Sequence, residues 1–375
     1  MSQLFTPFAL RGLTLDNRIV VPPLCQYSSD DGVASDWHMQ HLPALAISGA
    51  GLVVVEMTDV EPIGRITPWC AGLWSDAQEA AMVRVLASCR KYGAAKIGFQ
   101  IAHAGRKASC DVPWRGGKYL PPEKGGWQTI APSAIPFGEG YATPRAMVRE
   151  DFERVRVAFV DATRRAALAG FDSCEMHGAH GYLLSSFFSP LSNRREDEYG
   201  GSIENRMRFP LEVFRAMREV WPADKPLGVR LSCVDWAEGG TTIEDTIVFA
   251  KALKEAGCDF ICCSSGGIVA IVPPLIRAGY QVKFAERIRR EVGIPTRAVG
   301  MIFTGAQAEA IVTEGQADMV AVGRGYIDDP RWAWHAGDDL GVLAPFASPT
   351  HTARNPNWIK NKREAHKLPG KLPPA

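Results

Sequence analysis

Eight short apolar runs, most followed by a segment with helical spacing, constrain this chain more than any other feature. The runs are Arg18–Cys25, Leu52–Val60, Ala95–His103, Phe171–Gly178, Pro226–Cys233, Phe260–Gly266, Thr296–Ile302 and Met319–Gly325. They carry β-branched and apolar residues without a polar residue at every second position, as strands covered on both faces do. Helical spacing marks Ser75–Tyr92, Arg149–Ala169, Arg206–Trp221, Thr242–Ala256, Val282–Glu291, Gly305–Thr313 and Asp329–His335. Ser75 and Asp76 open the first of these as a cap signal, and Gly170, Gly257 and Gly293 stand where three of them stop. The pattern predicts an α/β fold, a (β/α)8 TIM barrel. Leu4–Asn17 reads as an N-terminal β-hairpin under the barrel. The long segment 106–147 after strand 3 is rich in Gly, Pro and Trp and has no helical period. A loop of that length is usually functional. We expect one domain over 1–341 and a polar tail over 342–375.

Composition narrows the function classes. Among 375 residues, 46% are hydrophobic and 22% charged, which suits a globular protein with a sizeable core. A net charge of +1 gives no bulk attraction to nucleic acid or to a membrane surface. The opening MSQLFTPFALRGL lacks the features of a signal peptide, and no stretch is long and apolar enough to span a bilayer. The nine cysteines are odd in number, lie mostly in apolar runs and show no CxxC spacing. Reduced thiols in the cytoplasm are the expectation.

Polar residues on the barrel strands mark the candidate site. Alternate residues of a barrel strand point inward. Gly228, Arg230 and Ser232 share one face of the fifth strand, with apolar Val229 and Leu231 on the other, so Arg230 points into the barrel mouth. An inward guanidinium needs an anion, because leaving it unpaired costs about 3–5 kcal/mol. Glu56, Glu175 or an electron-rich ligand could serve. Gln100 occupies the same kind of position on the third strand. Its amide could pair with the edge of a heteroaromatic ring or satisfy barrel backbone. Cys25 ends the first strand, where barrel active sites are built, although free Cys is commonly a small core filler.

EMHGAHGYL (Glu175–Leu183) places His177, His180 and Tyr182 at the end of the fourth strand. HxxH occurs in metal sites, but no nearby carboxylate or Cys completes a ligand set. Two imidazoles aimed at one carbonyl or nitro oxygen suit the pair better, with Tyr182 placed to give a proton. Glycines close the last strands at Gly266, Gly300 and Gly323, beside Arg324. Loops after strands 7 and 8 of such barrels commonly bind phosphate.

These motifs resemble those of the Old Yellow Enzyme family, FMN-dependent ene-reductases, and most of all its xenobiotic reductase A-like, thermophilic-like branch. The resemblance runs from Leu4 to about Trp334. Its markers stand as NRIVVPPLCQY, DWHMQHL, GRITPWCAGLWSD, QIAHAGRKAS, HGAHGYLLSSFFSPLSNRREDEYGGSIENRMRF and VGRGYIDDP. The resemblance implies FMN as cofactor and NADPH or NADH as hydride donor. The substrate it implies is an α,β-unsaturated carbonyl or nitro compound. It assigns Pro23, Leu24 and Thr58 to the flavin ring, and Cys25 to the ring edge as a tuner of potential. Gln100 is assigned to the pyrimidine edge, Arg230 to the reduced flavin's negative charge, and Gly266, Gly300, Gly323 and Arg324 to the ribityl phosphate. His177, His180 and Tyr27 would hold the substrate, and Tyr182 or water would protonate it. It further implies a homodimer or homotetramer in which the tail, through Arg354 or Trp358, reaches a neighbouring subunit's site.

Overall fold

The computed structural model describes residues 2–270 and 276–366. A hairpin of β1 (Phe8–Leu10) and β2 (Leu13–Leu15) leads into the first barrel strand, β3 (Ile19–Val21). Then follow α1 (Asp36–Ala46), β4 (Leu52–Asp59), α2 (Asp76–Tyr92) and β5 (Lys96–Ala102). The long loop holds only the small pair β6 (Ile130–Ala131) and β7 (Arg145–Ala146) and three short 3-10 turns. After it come α3 (Arg149–Ala169), β8 (Ser173–Gly178), α4 (Leu183–Phe188), α5 (Ile203–Val220), β9 (Leu227–Ser232) and α6 (Ile243–Glu255). The chain continues through β10 (Ile261–Ser264), α7 (Val282–Val292), β11 (Thr296–Val299), α8 (Gly305–Thr313) and β12 (Met319–Ala321). It finishes with α9 (Arg324–Asp328), α10 (Trp332–Leu340) and α11 (Pro356–His366).

Eight parallel strands close in the order β3–β4–β5–β8–β9–β10–β11–β12. The expected (β/α)8 barrel is the fold. Outward residues such as Val53, Val55, Ile97, Phe99, Val229 and Leu231 join the helices in one large core. Inward residues at the lower end, among them Leu52, Val54, Cys262, Val299 and Met319, pack with Leu10 and Leu15 of the hairpin. The hairpin thus closes the base of the barrel.

Several boundaries differ from the sequence reading, each for a local reason. β3 ends at Val21 because Pro22 and Pro23 have no N–H to give a ladder. Cys25 therefore sits in the loop beyond the strand. The helix expected over Asp329–His335 is two helices, α9 and α10, with Pro330 between them. The tail after Gly341 carries a 3-10 segment, Ser348–Arg354, and α11. Arg354, a candidate to reach a neighbouring subunit, is held in its own chain. Its guanidinium donates to Asp338 at 2.8 Å and stacks over Trp334. Trp358 is 60% exposed on α11. Among the described residues no helix is long and apolar enough to cross a membrane.

Candidate active site

A cavity of about 670 Å³ opens at the C-terminal ends of the strands. Pro23, Leu24, Cys25, Tyr27, Gln100, His177, His180, Tyr182 and Arg230 all line it. A second cavity of about 220 Å³ adjoins it and is lined by Gly300, Gly323 and Arg324. Pro23, Leu24 and Arg230 border both, so the two form one trench. Thr58 and Gly266 stand off its surface. The Thr58 hydroxyl donates to the Glu56 carbonyl at 2.8 Å. Gly266 is tied to Val234 and Ser232 by backbone and hydroxyl hydrogen bonds. Met57 faces the cavity in place of Thr58, because a bulge at Glu56 shifts the register of β4 between Val55 and Met57. The trench lining also includes Gln26, Trp37, Trp114, Gln281 and Ile327, none of which the sequence pattern singles out.

Glu56 anchors the loop that carries Cys25 and Tyr27. His38 Nδ1 accepts the Ser35 N–H at 3.0 Å, which leaves Nε2 as the donor to Glu56 at 2.9 Å. The other Glu56 oxygen accepts the Gln26 N–H at 2.8 Å. Burial raises the Cys25 thiol well above its ordinary value, and burial likewise raises the Tyr27 phenol. Both are protonated at neutral pH.

The turn after β8 is fixed just as firmly. His180 adopts a positive φ of 60°, and Gly181 follows at 75°. A side chain on Gly181 would collide with the Gly267 carbonyl, so only glycine lets this turn pack against the loop after β10. Lys107 locks the contact by donating to the carbonyls of His180 at 2.9 Å and Gly267 at 3.2 Å. Burial, with Arg106 beside it, pulls this ammonium down to about 8.

His177 Nδ1 accepts the Ala179 N–H at 3.1 Å, so its proton sits on Nε2, 3.3 Å from His180 Nδ1. His180 Nε2 in turn lies 2.7 Å from Ser264 Oγ. Burial, then the nearby Arg230 guanidinium, holds both imidazoles well below their ordinary range. They are neutral, with one N–H each. Tyr182 packs edge-on against His177 at 4.9 Å, and burial raises its phenol well above the usual value.

The carboxylates that could have neutralised Arg230 are engaged elsewhere. Glu56 serves His38 and Gln26, and Glu175 accepts from Gln100 at 2.6 Å and from Arg297. Arg230 Nε has no hydrogen-bond partner among the described residues. A charge held this way at a cavity wall fits an electron-rich ligand. Gly300, Gly323 and Arg324 give the far end of the trench backbone access and positive charge, which suits an anionic tail. Among the described residues no group of three or more His, Cys, Asp or Glu is placed to hold a metal ion.

Asp59 lies two residues beyond Met57, fully buried at 0% exposure, and neither carboxyl oxygen has a hydrogen-bond partner among the described residues. Burial raises its carboxyl well above the usual range, against the opposing pull of Arg65. The folded protein therefore keeps a proton that the unfolded chain releases above about pH 4. The stability from this group is complete below that pH and is lost as pH rises toward the folded-state value. Asp59→Ala removes the linkage. Its melting temperature relative to wild type should climb between pH 4 and pH 8, toward a gain equivalent to about 1–3 kcal/mol. A difference independent of pH, read by scanning fluorimetry, would show that the carboxyl is ionised and paired.

The sequence profile of the NADH:flavin oxidoreductase / NADH oxidase family matches residues 3–341. An NADPH dehydrogenase of Geobacillus thermodenitrificans is 48% identical over 343 residues, covering 90% of this chain and 95% of that protein. The structure of morphinone reductase in complex with tetrahydroNAD aligns with a TM-score of 0.74 and 28% identity, covering 96% of this chain and 94% of that one. A 2-naphthoyl-CoA reductase aligns with a TM-score of 0.81 over 92% of this chain. At 24% identity that likeness speaks to fold alone, and this chain spans about half of that protein, 53%.

Proposed function

The chain belongs to the NADH:flavin oxidoreductase / NADH oxidase family, that of the Old Yellow Enzymes, and is an NAD(P)H-dependent flavin oxidoreductase; within that class we propose that it is an FMN-dependent ene-reductase acting on α,β-unsaturated carbonyl or nitro compounds. One observation carries the substrate class. Two neutral imidazoles and a protonated phenol stand together above a trench whose wall holds an unneutralised guanidinium.

The residues fit FMN. Gln100 and Arg230 would take the pyrimidine side of the ring, Pro23 and Leu24 its flank, and Gly300, Gly323 and Arg324 the phosphate. Bound there, the flavin supplies hydride transfer from NAD(P)H to the β-carbon of the acceptor. The chain does the rest. His177 and His180 donate to the acceptor's oxygen, where negative charge develops. Their neutrality matters, because each then offers one defined donor rather than a charge balanced elsewhere. The ligand oxygen takes over both the hydrogen bond that His177 gives His180 and the one that His180 gives Ser264. Tyr182 holds its proton until a strongly basic carbon appears, and then delivers it to the α-position, with water as the other source. Arg230 opposes the negative charge of the reduced cofactor. Met57, Tyr27 and Trp114 shape the space left for substrate, with Tyr27 and Trp114 meeting edge-on at 6.0 Å.

The test is the visible spectrum of the purified protein under argon. Flavin bands that bleach with NADPH and return with 2-cyclohexenone are expected. Bleaching without return would keep the flavoprotein and reject the enone as acceptor. A colourless protein that takes up no added FMN would overturn the reading.

A further inference from the structure

An ion pair spans the barrel interior directly beneath the trench. Glu175 on β8 stands opposite Gln100 on β5 in the strand register. It accepts the Gln100 side-chain N–H at 2.6 Å. Its other oxygen meets Arg297, which reaches in from β11 and is fully buried at 0% exposure. Arg297 makes few contacts beyond that. Its Nε and Nη1 have no hydrogen-bond partner among the described residues, and its remaining support is the Phe260 ring at 5.2 Å. A pair so sparsely satisfied contributes little to stability, since well-packed apolar residues in such places are often neutral or better. What it controls is its neighbour. A carboxylate only accepts, so Gln100 must turn its NH₂ toward Glu175 and its carbonyl oxygen toward the cavity.

We propose that the Glu175–Arg297 pair is a positioning device that fixes the hydrogen-bonding sense of Gln100, so that the trench selects a ring edge presenting an N–H donor beside an acceptor. The proposal rests on the flavin reading above and deepens it. The edge it names is an imide, as in the flavin pyrimidine ring. Paired with Arg297, Glu175 is acceptor-only and the amide has one allowed orientation. Without Arg297, a buried Glu175 takes up a proton, can donate, and lets the amide turn over. The acceptor facing the ligand is then exchanged for a donor that meets the ring N–H head-on.

The experiment compares wild type with the double variant Glu175→Leu/Arg297→Met, which removes both charges together. Melting of the apoprotein and the affinities for FMN and for N3-methyl FMN, read by flavin fluorescence, are measured on each. The apoprotein should melt at the same temperature or higher. FMN affinity should fall about tenfold or more, the worth of one hydrogen bond to the ring. The preference for FMN over its N3-methyl derivative should shrink by a similar factor. Arg297→Lys should retain most of both, and Arg297→Gln carries the same test should the double variant not fold. A folded variant with unchanged FMN affinity and unchanged preference overturns the proposal while leaving the flavin reading intact. A wild type that binds no FMN overturns both.

Discussion

Replacing His177 and His180 together with alanine should slow reoxidation of the reduced protein by 2-cyclohexenone about 10²–10³-fold, the usual effect of removing preorganised donors to a developing oxyanion. On the function proposed above, this is the step they serve. Both rings are neutral, and their N–H groups run in one direction, from His177 to His180 to Ser264. A carbonyl or nitro oxygen entering the cavity joins that chain without a change of net charge. Reduction by NADPH should fall by a smaller factor, because the donor develops no oxyanion there. Binding of a simple phenol, read from the perturbed flavin spectrum, should weaken as well. Stopped-flow absorbance separates the two half-reactions, and equal slowing of both would reassign the histidines to general structure. Circular dichroism on the variant guards against misfolding, since His177 also accepts the Ala179 N–H.

The second large effect belongs to Arg230. Arg230→Met should weaken FMN binding by the equivalent of about 2–5 kcal/mol, tens to thousands of times in affinity, which is the range for truncating one partner of a buried charged contact. The reason lies in what surrounds it. Glu56 and Glu175 are each engaged by other donors, so neither neutralises the guanidinium. The same fact predicts an opposite effect on the empty protein. Removing an uncompensated charge should leave the melting temperature of the apoprotein unchanged or raise it, a trade of function against stability. Arg230→Lys keeps the charge but not the planar fork, and should fall between the two. Equal FMN affinities for wild type and Arg230→Met, measured by titration, would move the cofactor away from this wall.

Strands were legible because barrel strands buried on both faces are continuous apolar runs. Parity along β5 and β9 then pointed Gln100 and Arg230 inward, and both line the trench. Parity does not carry through β4, because the bulge at Glu56 inserts a residue and brings Val54 and Met57 to the same interior side. Nothing in LVVVEMTD announces a bulge. Helix α1 escaped notice for a different reason. DWHMQHLPALA carries two histidines and an interior proline, Pro43, and its cap uses His38 where Glu or Gln would be the recognisable signal. Strand parity offers Glu175 as a partner for Arg230, whereas the ion pair it makes is with Arg297. A lone charge in an apolar strand marks Arg297 in TRAV as plainly as it marks Arg230 in LGVRLS, so that partner was within reach of the same argument.

Leu10 and Leu15 of the hairpin close the base of the barrel, so ligands enter the trench from the side of the strand ends. On the function proposed here, the nicotinamide and the electron-poor acceptor share that doorway and take turns against the same ring. The oxidised nicotinamide has to depart before the acceptor can settle. Steady-state rates should then give parallel lines in double-reciprocal plots, and each substrate in excess should inhibit competitively against the other. One doorway, shared by two substrates, thereby sets the order of events at the ring.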